Sequence, residues 1–259
     1  MRMIIKRFLP ALAALGFLSV LLLAAAPVRA AGNDIQLSGT LTREDFRDLT
    51  RQLGFAASYF PLAPAAPLGI LGFDAGVEAT AVKITEHSSF WQRAVRDGNP
   101  PSYLVIPRLH VQKGLPFNLD IGASFTSVPS TDISIIGGEI KWAILGGGVV
   151  APAVAVRISG TKLFGGSEVG LETYSADLSI SKGFFFLVPY AGIGQLLVNS
   201  RTNSAAIRAA NGVDFRETQS LTRSFVGLKI APPVLPFSLV AEADFATVTA
   251  YSLRANFSF

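Results

Sequence analysis

The last nine residues of the chain alternate apolar and polar side chains without interruption and end on an aromatic residue. In residues 251–259 the odd positions hold Tyr, Leu, Ala, Phe and Phe, and the even positions hold Ser, Arg, Asn and Ser. Successive side chains of a β-strand point to opposite faces, so this segment predicts a strand with one apolar and one polar face. A strand of a soluble sandwich would rarely end its chain on an exposed Phe.

The first thirty residues have the pattern of a secretory signal peptide. A basic start is followed by an apolar stretch at 8–26 and by the small-x-small cleavage site Val28-Arg29-Ala30. The alternative is a retained membrane anchor, because the apolar stretch approaches the ~18 residues of a spanning helix. The Ala-rich end and the cleavage site favour removal, so we expect residues 1–30 to be cleaved.

The signal also accounts for the basic balance of the chain. There are 22 Lys and Arg against 18 Asp and Glu, and residues 1–30 hold four of the basic residues and none of the acidic ones. The remainder is formally neutral, which gives no support to nucleic acid as a partner. The chain has no Cys, so disulfides and thiolate metal sites are excluded.

Residues 31–67 are predicted to form a periplasmic leader that precedes the main domain. A short helix begins at Thr42, which is followed by acidic residues in the first turn, and Gly54 is predicted to end it. Three prolines in 59–67 predict an extended linker after the helix. The leader could cover the mouth of the following domain, enter it or trail from it, and a loosely packed periplasmic cap is the preferred alternative.

From Leu68 onward the periodicity is two, which predicts strands. Clear alternation defines five of them, at 73–81, 103–112, 117–126, 237–245 and 251–259. Weaker alternation defines five more, at 133–145, 149–159, 168–181, 184–199 and 217–230. Both faces are apolar at 184–186, which predicts a bulge or a packed interior there. The total is ten strands, with twelve as the alternative.

The lengths of the predicted links agree with this count. The even-numbered links are short, and the two longest links, at 86–102 and 200–216, are both odd-numbered. In membrane barrels the short turns face the periplasm and the long loops face outside. Residues 68–259 therefore predict an all-β, transmembrane, antiparallel up-and-down β-barrel, with both barrel termini periplasmic, lipid on the apolar faces and a lumen on the polar faces.

The signal, the short even-numbered turns and the final Phe resemble bacterial outer-membrane β-barrel proteins over about residues 68–259. Residues 61–83, which begin Pro-Leu-Ala-Pro-Ala-Ala-Pro, and residues 179–194 also resemble an uncharacterised outer-membrane barrel family without an assigned activity. The resemblance implies outer-membrane lipid and the barrel assembly machinery as partners. It also implies that the machinery reads the last strand, through Tyr251, Leu253, Phe257 and Phe259.

Polar and charged side chains on the inward faces of the predicted strands are the candidate lumen-lining residues. They are Asp74, Glu78, Arg108, His110, Asp120, Glu139, Lys141, Glu242, Asp244 and Arg254. Buried charges must pair, so mixed signs predict a salt-bridged and largely closed interior. At about eight strands side chains just fill a barrel, so ten strands leave at most a thin pore or a small cavity.

We therefore expect a non-enzymatic structural or binding barrel, or a narrow pore for a small or amphipathic solute, with a small solute or a lipid as its ligand. No cofactor is expected, and the two histidines offer no metal-binding pattern. The alternative is a lipid-modifying hydrolase, because Glu86-His87-Ser88-Ser89 resembles the His and Ser of outer-membrane lipid A deacylases. A strand would place His87 and Ser89 on one side.

Overall fold

Ten antiparallel strands close into one barrel in the computed structural model of the protein. The structure describes residues 37–95, 100–128, 132–233 and 235–259. The predicted signal peptide, residues 1–30, lies outside this range and stays a prediction. Neighbouring strands pair in chain order, and β1 pairs with β10 to close the barrel. The prediction of a ten-stranded up-and-down barrel is confirmed, and the twelve-stranded alternative is wrong.

The described elements follow one another along the chain with short helices inserted between some strands. The strands are β1 Phe73–Lys83, β2 Tyr103–Leu115, β3 Leu119–Ser127, β4 Ser134–Gly146, β5 Ala153–Phe164, β6 Val169–Ser181, β7 Leu187–Thr202, β8 Arg216–Ile230, β9 Phe237–Phe245 and β10 Thr249–Ser258. The helices are α1 Arg43–Ala57, α2 Ser89–Ala94 and α3 Ala205–Asn211, and a 3₁₀ turn spans Pro116–Asn118. None of these described helices is both long enough and apolar enough to cross a membrane.

On most strands the apolar face points outward and the inward face is polar except near the loop end, whereas β8 is polar on its outer face from Arg216 to Ser224. On β10, Tyr251 and Leu253 are 54% and 52% exposed, whereas Ser252 and Arg254 are 5% and 1% exposed. This is the reverse of a soluble sandwich, in which the apolar faces of two sheets meet. The described strands form a single closed layer, so the outward Leu, Ile, Val and Phe side chains have no second sheet to cover them.

The two ends of the barrel differ in their connections. At one end lie the start of β1, the end of β10 and the links of even number, and we call it the termini end. At the other end lie the two longest connections, 84–102 with α2 and 203–215 with α3, and we call it the loop end. Phe73 and Phe259 exchange backbone hydrogen bonds at the termini end, so the barrel termini lie side by side.

Several strand boundaries differ from the sequence prediction because apolar turns resemble strands. Residues 149–152 belong to the turn before β5, and Val149 is 97% exposed. Phe117 and Phe185 adopt positive φ angles, of 64° and 57°, and lie in turns at the termini end. For the strand at 184–199 a bulge or a packed interior was predicted. The pairing of β7 with β6 and β8 contains no register shift, whereas Tyr190, Leu196 and Val198 are buried in an apolar interior cluster. A register shift occurs instead between β4 and β5, between Ala143 and Leu145.

Helix α1 is fixed at its start by a capping box. The Thr42 hydroxyl accepts a hydrogen bond from the Asp45 N–H, and the Asp45 carboxylate accepts one from the Thr42 N–H. The predicted stop at Gly54 is wrong, since the helix continues to Ala57. A Cβ at Gly54 would lie 2.3 Å from Val198, so this glycine lets the helix approach β7.

Helix α1 lies at the loop end, on the side of the barrel opposite to the barrel termini. Its buried Phe46 and Leu49 pack in one cluster with Trp91 of α2 and Ile207 of α3. The sequence analysis placed α1 and the barrel termini together on the periplasmic side, and these two predictions cannot both hold. The preferred loosely packed cap is also wrong, because the apolar stripe of α1 finds its partners on the two long connections.

This arrangement predicts which introduced cysteines share a side of the membrane, and the chain offers a cysteine-free background. Thr40→Cys, before α1, and Asn211→Cys, on α3, are exposed at the loop end, and Val150→Cys is exposed at the termini end. A membrane-impermeant maleimide should label the first two from the same side and Val150→Cys from the other. If Thr40→Cys is labelled together with Val150→Cys instead, the placement of α1 is wrong.

Candidate functional site in the lumen

The chain between α1 and β1 runs through the lumen from the loop end to the termini end. We call residues 58–68 the threading segment. Its first carbonyl, of Ser58, accepts a hydrogen bond from Arg108, and its last amide, of Leu68, donates to Asp120 near the termini end of β3. The segment predicted as a periplasmic linker therefore lies inside the barrel, where charged side chains contact its backbone.

The loop-end part of the lumen is apolar. Phe55 at the end of α1 and Phe60 and Leu62 of the threading segment are buried in one cluster. Their partners are inward apolar side chains from the barrel wall, including Val82, Ile106, Ile135, Leu171, Leu196, Val198, Leu221 and Val240. Burial of these side chains against the wall stabilises the end of α1 and the start of the threading segment in the mouth of the barrel.

Tyr59 is the centre of the middle part of the lumen. Its hydroxyl is hydrogen-bonded to Nε2 of His110, and its carbonyl accepts a hydrogen bond of 2.8 Å from Arg223. Two glycines of the wall make room for this side chain. A Cβ at Gly137 would lie 2.9 Å from the Tyr59 ring, and a Cβ at Gly122 would lie 2.9 Å from its hydroxyl.

Two arginines in this part, Arg223 and Arg108, each bind both a wall carboxylate and the threading segment. Arg223 forms two hydrogen bonds with Asp177, of 3.0 and 2.7 Å. Arg108 lies 2.6 Å from Glu78 and donates to the Ser58 carbonyl at 3.2 Å. A guanidinium carries five N–H donors, so it can neutralise a carboxylate and satisfy a backbone carbonyl at once.

Toward the termini end, Arg254, Glu242 and Lys141 also bind the backbone of the threading segment. Arg254 donates to the Leu62 carbonyl at 2.7 Å, and Glu242 accepts from the Leu62 N–H at 3.1 Å. Lys141 lies 2.8 Å from Asp120 and donates to two segment carbonyls, those of Pro64 and Ala66, at 3.1 and 2.9 Å. The backbone of the threading segment is therefore held on both its donor and its acceptor side.

All ten candidate lumen residues lie on inward faces and are buried. Each of them contacts the threading segment or lies in the charged wall next to it. They are Asp74, Glu78, Arg108, His110, Asp120, Glu139, Lys141, Glu242, Asp244 and Arg254. The structure brings them together in one continuous polar interior. Glu242 and Asp244 are neighbours on the inward face of β9, which places two carboxyls side by side.

The sequence analysis missed four charged residues of the lumen. Arg157, Asp177 and Arg223 are buried, and Lys229 lies at the termini end. Arg157 lies 2.7 Å from Glu139, Arg223 binds Asp177, and Lys229 lies 3.4 Å from Asp74. The signal for Arg157 was present, because Val156 and Ile158 flank it on the other face of β5. Arg223 lies between Thr222 and Ser224, so alternation gave no indication of which face it occupies.

Asp45 links helix α1 to the connection that follows β1. Its carboxylate accepts a hydrogen bond of 2.6 Å from Arg93, next to the capping box of α1. Burial raises the pKa of Asp45, but the Thr42 hydrogen bonds and Arg93 outweigh it and hold the pKa below its usual value. This contribution to stability is present above the pKa of the unfolded chain and is lost as the pH falls through the lowered pKa.

The candidate hydrolase residues do not form a catalytic arrangement. Glu86 and His87 lie in a turn and Ser89 begins α2, so the predicted strand geometry is absent here. The His87 side chain is 95% exposed and lies 3.9 Å from the Glu86 carboxylate. Hydrogen bonds from its own backbone N–H and from Ser102 hold the pKa of Glu86 below its usual value, so this residue is a charged carboxylate at the surface.

The last strand presents its aromatic residues on the outer surface, with Tyr251 toward the loop end and Phe257 and Phe259 at the termini end. Tyr251, Leu253, Phe257 and Phe259 are all exposed on the outer surface, and Phe257 packs edge-on against Phe237 and Phe259. Recognition of these residues during assembly stays a prediction. Among the described residues, no group of three or more His, Asp and Glu side chains is arranged to hold a metal ion.

Comparisons with known proteins return similar barrel structures but no family. No protein-family model and no curated protein match the chain. Similar solved structures include the N-terminal β-barrel domain of Pseudomonas aeruginosa OprF, at 14% identity and a TM-score of 0.36 over 74% of this chain and 99% of that one. A second is the attachment invasion locus protein Ail of Yersinia pestis, at 11% identity and a TM-score of 0.32 over 73% of this chain and 97% of that one. A third is Neisserial surface protein A, at 12% identity and a TM-score of 0.30 over 72% of this chain and 95% of that one. Likeness at this level does not bear on function.

The ion pair of Arg223 offers a test of the buried network. Arg223→Met should lower the free energy of unfolding by about 3–5 kcal/mol, because it leaves Asp177 charged and unpaired and frees the Tyr59 carbonyl. Urea unfolding of the protein in lipid vesicles measures this change. Arg208→Met, which breaks an exposed pair with Asp214, is the matched control and should cost at most about 1 kcal/mol. Equal effects of the two substitutions would contradict the network.

Proposed function

We propose that the protein is a bacterial outer-membrane β-barrel with a structural or binding role, and that its own threading segment closes its lumen. The membrane placement is supported by the outward apolar surface of the strands, which no described protein layer covers. On β8 this surface is limited to Val226, Leu228 and Ile230. Aromatic side chains lie near both edges of this surface, as is usual for barrels at membrane interfaces. They include Tyr103, Phe125, Phe164, Tyr174, Phe245 and Tyr251 toward the loop end and Phe73, Trp142, Phe237, Phe257 and Phe259 toward the termini end.

The observation that carries the proposal is the binding of the threading segment by the charged wall. The backbone of residues 58–68 donates to or accepts from Arg108, Arg223, Arg254, Glu242, Lys141, Ser181 and Asp120 along the height of the barrel. An open narrow pore would need these side chains to face water. The geometry therefore favours the closed barrel over the pore that the sequence analysis left open.

The binding role belongs to the loop end. Helices α1, α2 and α3 share one apolar core there, so the long connections form a fixed platform rather than separate loops. Because long loops of bacterial barrels face outside, we place the barrel termini in the periplasm and this platform at the cell surface. No contact of Glu86, His87 or Ser89 favours the hydrolase alternative.

Conductance in planar bilayers tests the closed lumen. The wild-type barrel should be silent, and a variant that lacks residues 43–67 should conduct, because water would enter a lumen lined by unpaired charges. Deletion of residues 205–211, which removes α3 and keeps the threading segment, is the control and should stay silent. Steady conductance by the wild-type protein would by itself contradict the proposal.

A further inference from the structure

The outer surface of β6, β7 and β8 changes from apolar to polar toward the loop end. Tyr174 of β6 is paired with Leu197 of β7, and both point outward. The next outward pairs toward the loop end are Glu172 with Asn199 and Gly170 with Arg201. β6 and β7 therefore present polar side chains beyond Tyr174 and Leu197, and the outward face of β8 is polar from Arg216 to Ser224.

A groove of about 370 Å³ lies in this polar zone. Its outward polar lining consists of Lys162, Glu172, Asn199, Arg201, Arg216 and Thr218. Gly170 has no side chain, which lets the Arg201 side chain lie over it, since a Cβ there would be 2.8 Å from Nε of Arg201. The Thr218 hydroxyl donates to the Asn199 side chain at 2.9 Å, which fixes the two strands across the groove.

Two arginines face each other in this groove, and Glu172, which lies within electrostatic range of Arg201, is ion-paired with Lys162. Arg201 and Arg216 are direct cross-strand neighbours, and both are exposed on the outer face. Among the described residues, neither forms an ion pair within 4 Å. Glu172 is paired with Lys162 at 2.8 Å, and Glu217 is paired with Arg43 at 2.6 Å, so the nearby carboxylates are already engaged.

Like charges placed directly opposite each other destabilise a strand pair, and a bound anion reverses that effect. Phosphate suits this geometry, because a guanidinium binds two of its oxygens in a fork and the pair could hold one phosphate from both sides. Lys162 also lines the groove, where it is ion-paired with Glu172. The chemistry of the groove is therefore that of a phosphate site rather than of an apolar or cationic ligand.

The height of the groove indicates what carries the phosphate. Arg201 is four residues beyond Leu197, about 13 Å along the strand at 3.3 Å per residue and less in height because barrel strands tilt. The polar headgroup layer begins at the edge of the apolar surface. We propose that Arg201 and Arg216, with Lys162, bind the phosphate of a membrane lipid headgroup on the outer surface of the barrel. The assignment of the lipid rests on the membrane placement proposed above.

Native mass spectrometry of the full chain in non-ionic detergent micelles tests the site. The probes are bis-phosphorylated lipid A, its dephosphorylated form and inorganic phosphate. Wild-type protein should retain one bis-phosphorylated lipid, and the double variant Arg201→Gln/Arg216→Gln should bind it at least about tenfold more weakly, since each charge-assisted hydrogen bond lost is worth that factor or more. The dephosphorylated lipid should bind both proteins equally weakly.

The matched control is Arg47→Gln/Lys83→Gln, which removes two exposed cations at the same end outside the groove. It should bind the phosphorylated lipid like wild type, and equal binding by both double variants overturns the site. If inorganic phosphate alone binds as tightly as the lipid, the lipid assignment is overturned while the phosphate site stands. Insertion into phospholipid vesicles is measured separately for each protein. Failure to insert counts against the proposed function, and insertion without groove-dependent binding counts against this site alone.

Discussion

The structure depends on hydrogen bonds between two sets of buried polar groups. The inward charges of the barrel wall would be costly in a dry lumen, and so would the backbone N–H and C=O groups of an extended segment without partners. In this protein the wall charges that contact the segment and the backbone groups of the segment supply each other's partners. Arg223 and Lys141 show the pattern most clearly, because each neutralises a wall carboxylate and also donates to the threading segment.

This pairing explains why the two halves of the lumen differ. Toward the loop end the wall turns apolar on its inward face, with Val82, Ile106 and Val198, and there it meets Phe55 and Phe60. Toward the termini end the segment is rich in proline, which has no N–H to satisfy. There the wall provides donors to the segment carbonyls and acceptors for its remaining amides. The threading segment and the wall are therefore matched in polarity along the height of the barrel.

Much of the barrel was predictable because alternation is a direct consequence of strand geometry. Inward Glu78 and Arg108 are flanked by outward apolar residues, and their face could be read from the sequence. Arg223 could not be placed in this way, since its strand is polar on both faces near the loop end. Turns such as Phe184–Phe185–Phe186 were predicted as strand, because apolar turns give the same pattern as a fully apolar strand.

The position of residues 58–68 could not be predicted for a different reason. Three prolines are typical of an exposed linker, and nothing local shows that charges far along the chain will bind the backbone. A signal was nevertheless present. Inward positions at the loop ends of several strands are apolar, as at Leu104-Val105-Ile106 and Ile135-Ile136, and a lumen filled with water would not favour apolar residues there. Such blurred alternation indicates an internal apolar partner.

Hydrogen exchange at the amides of the threading segment tests the central claim most directly. Leu62, Ala66 and Leu68 donate to Glu242, Ser181 and Asp120 inside the barrel. In the folded protein in lipid, these three amides should exchange as slowly as those of the neighbouring strands, because exchange requires the segment to leave the lumen. Exchange at the rate of an unstructured peptide, with the strands still protected, would contradict the account.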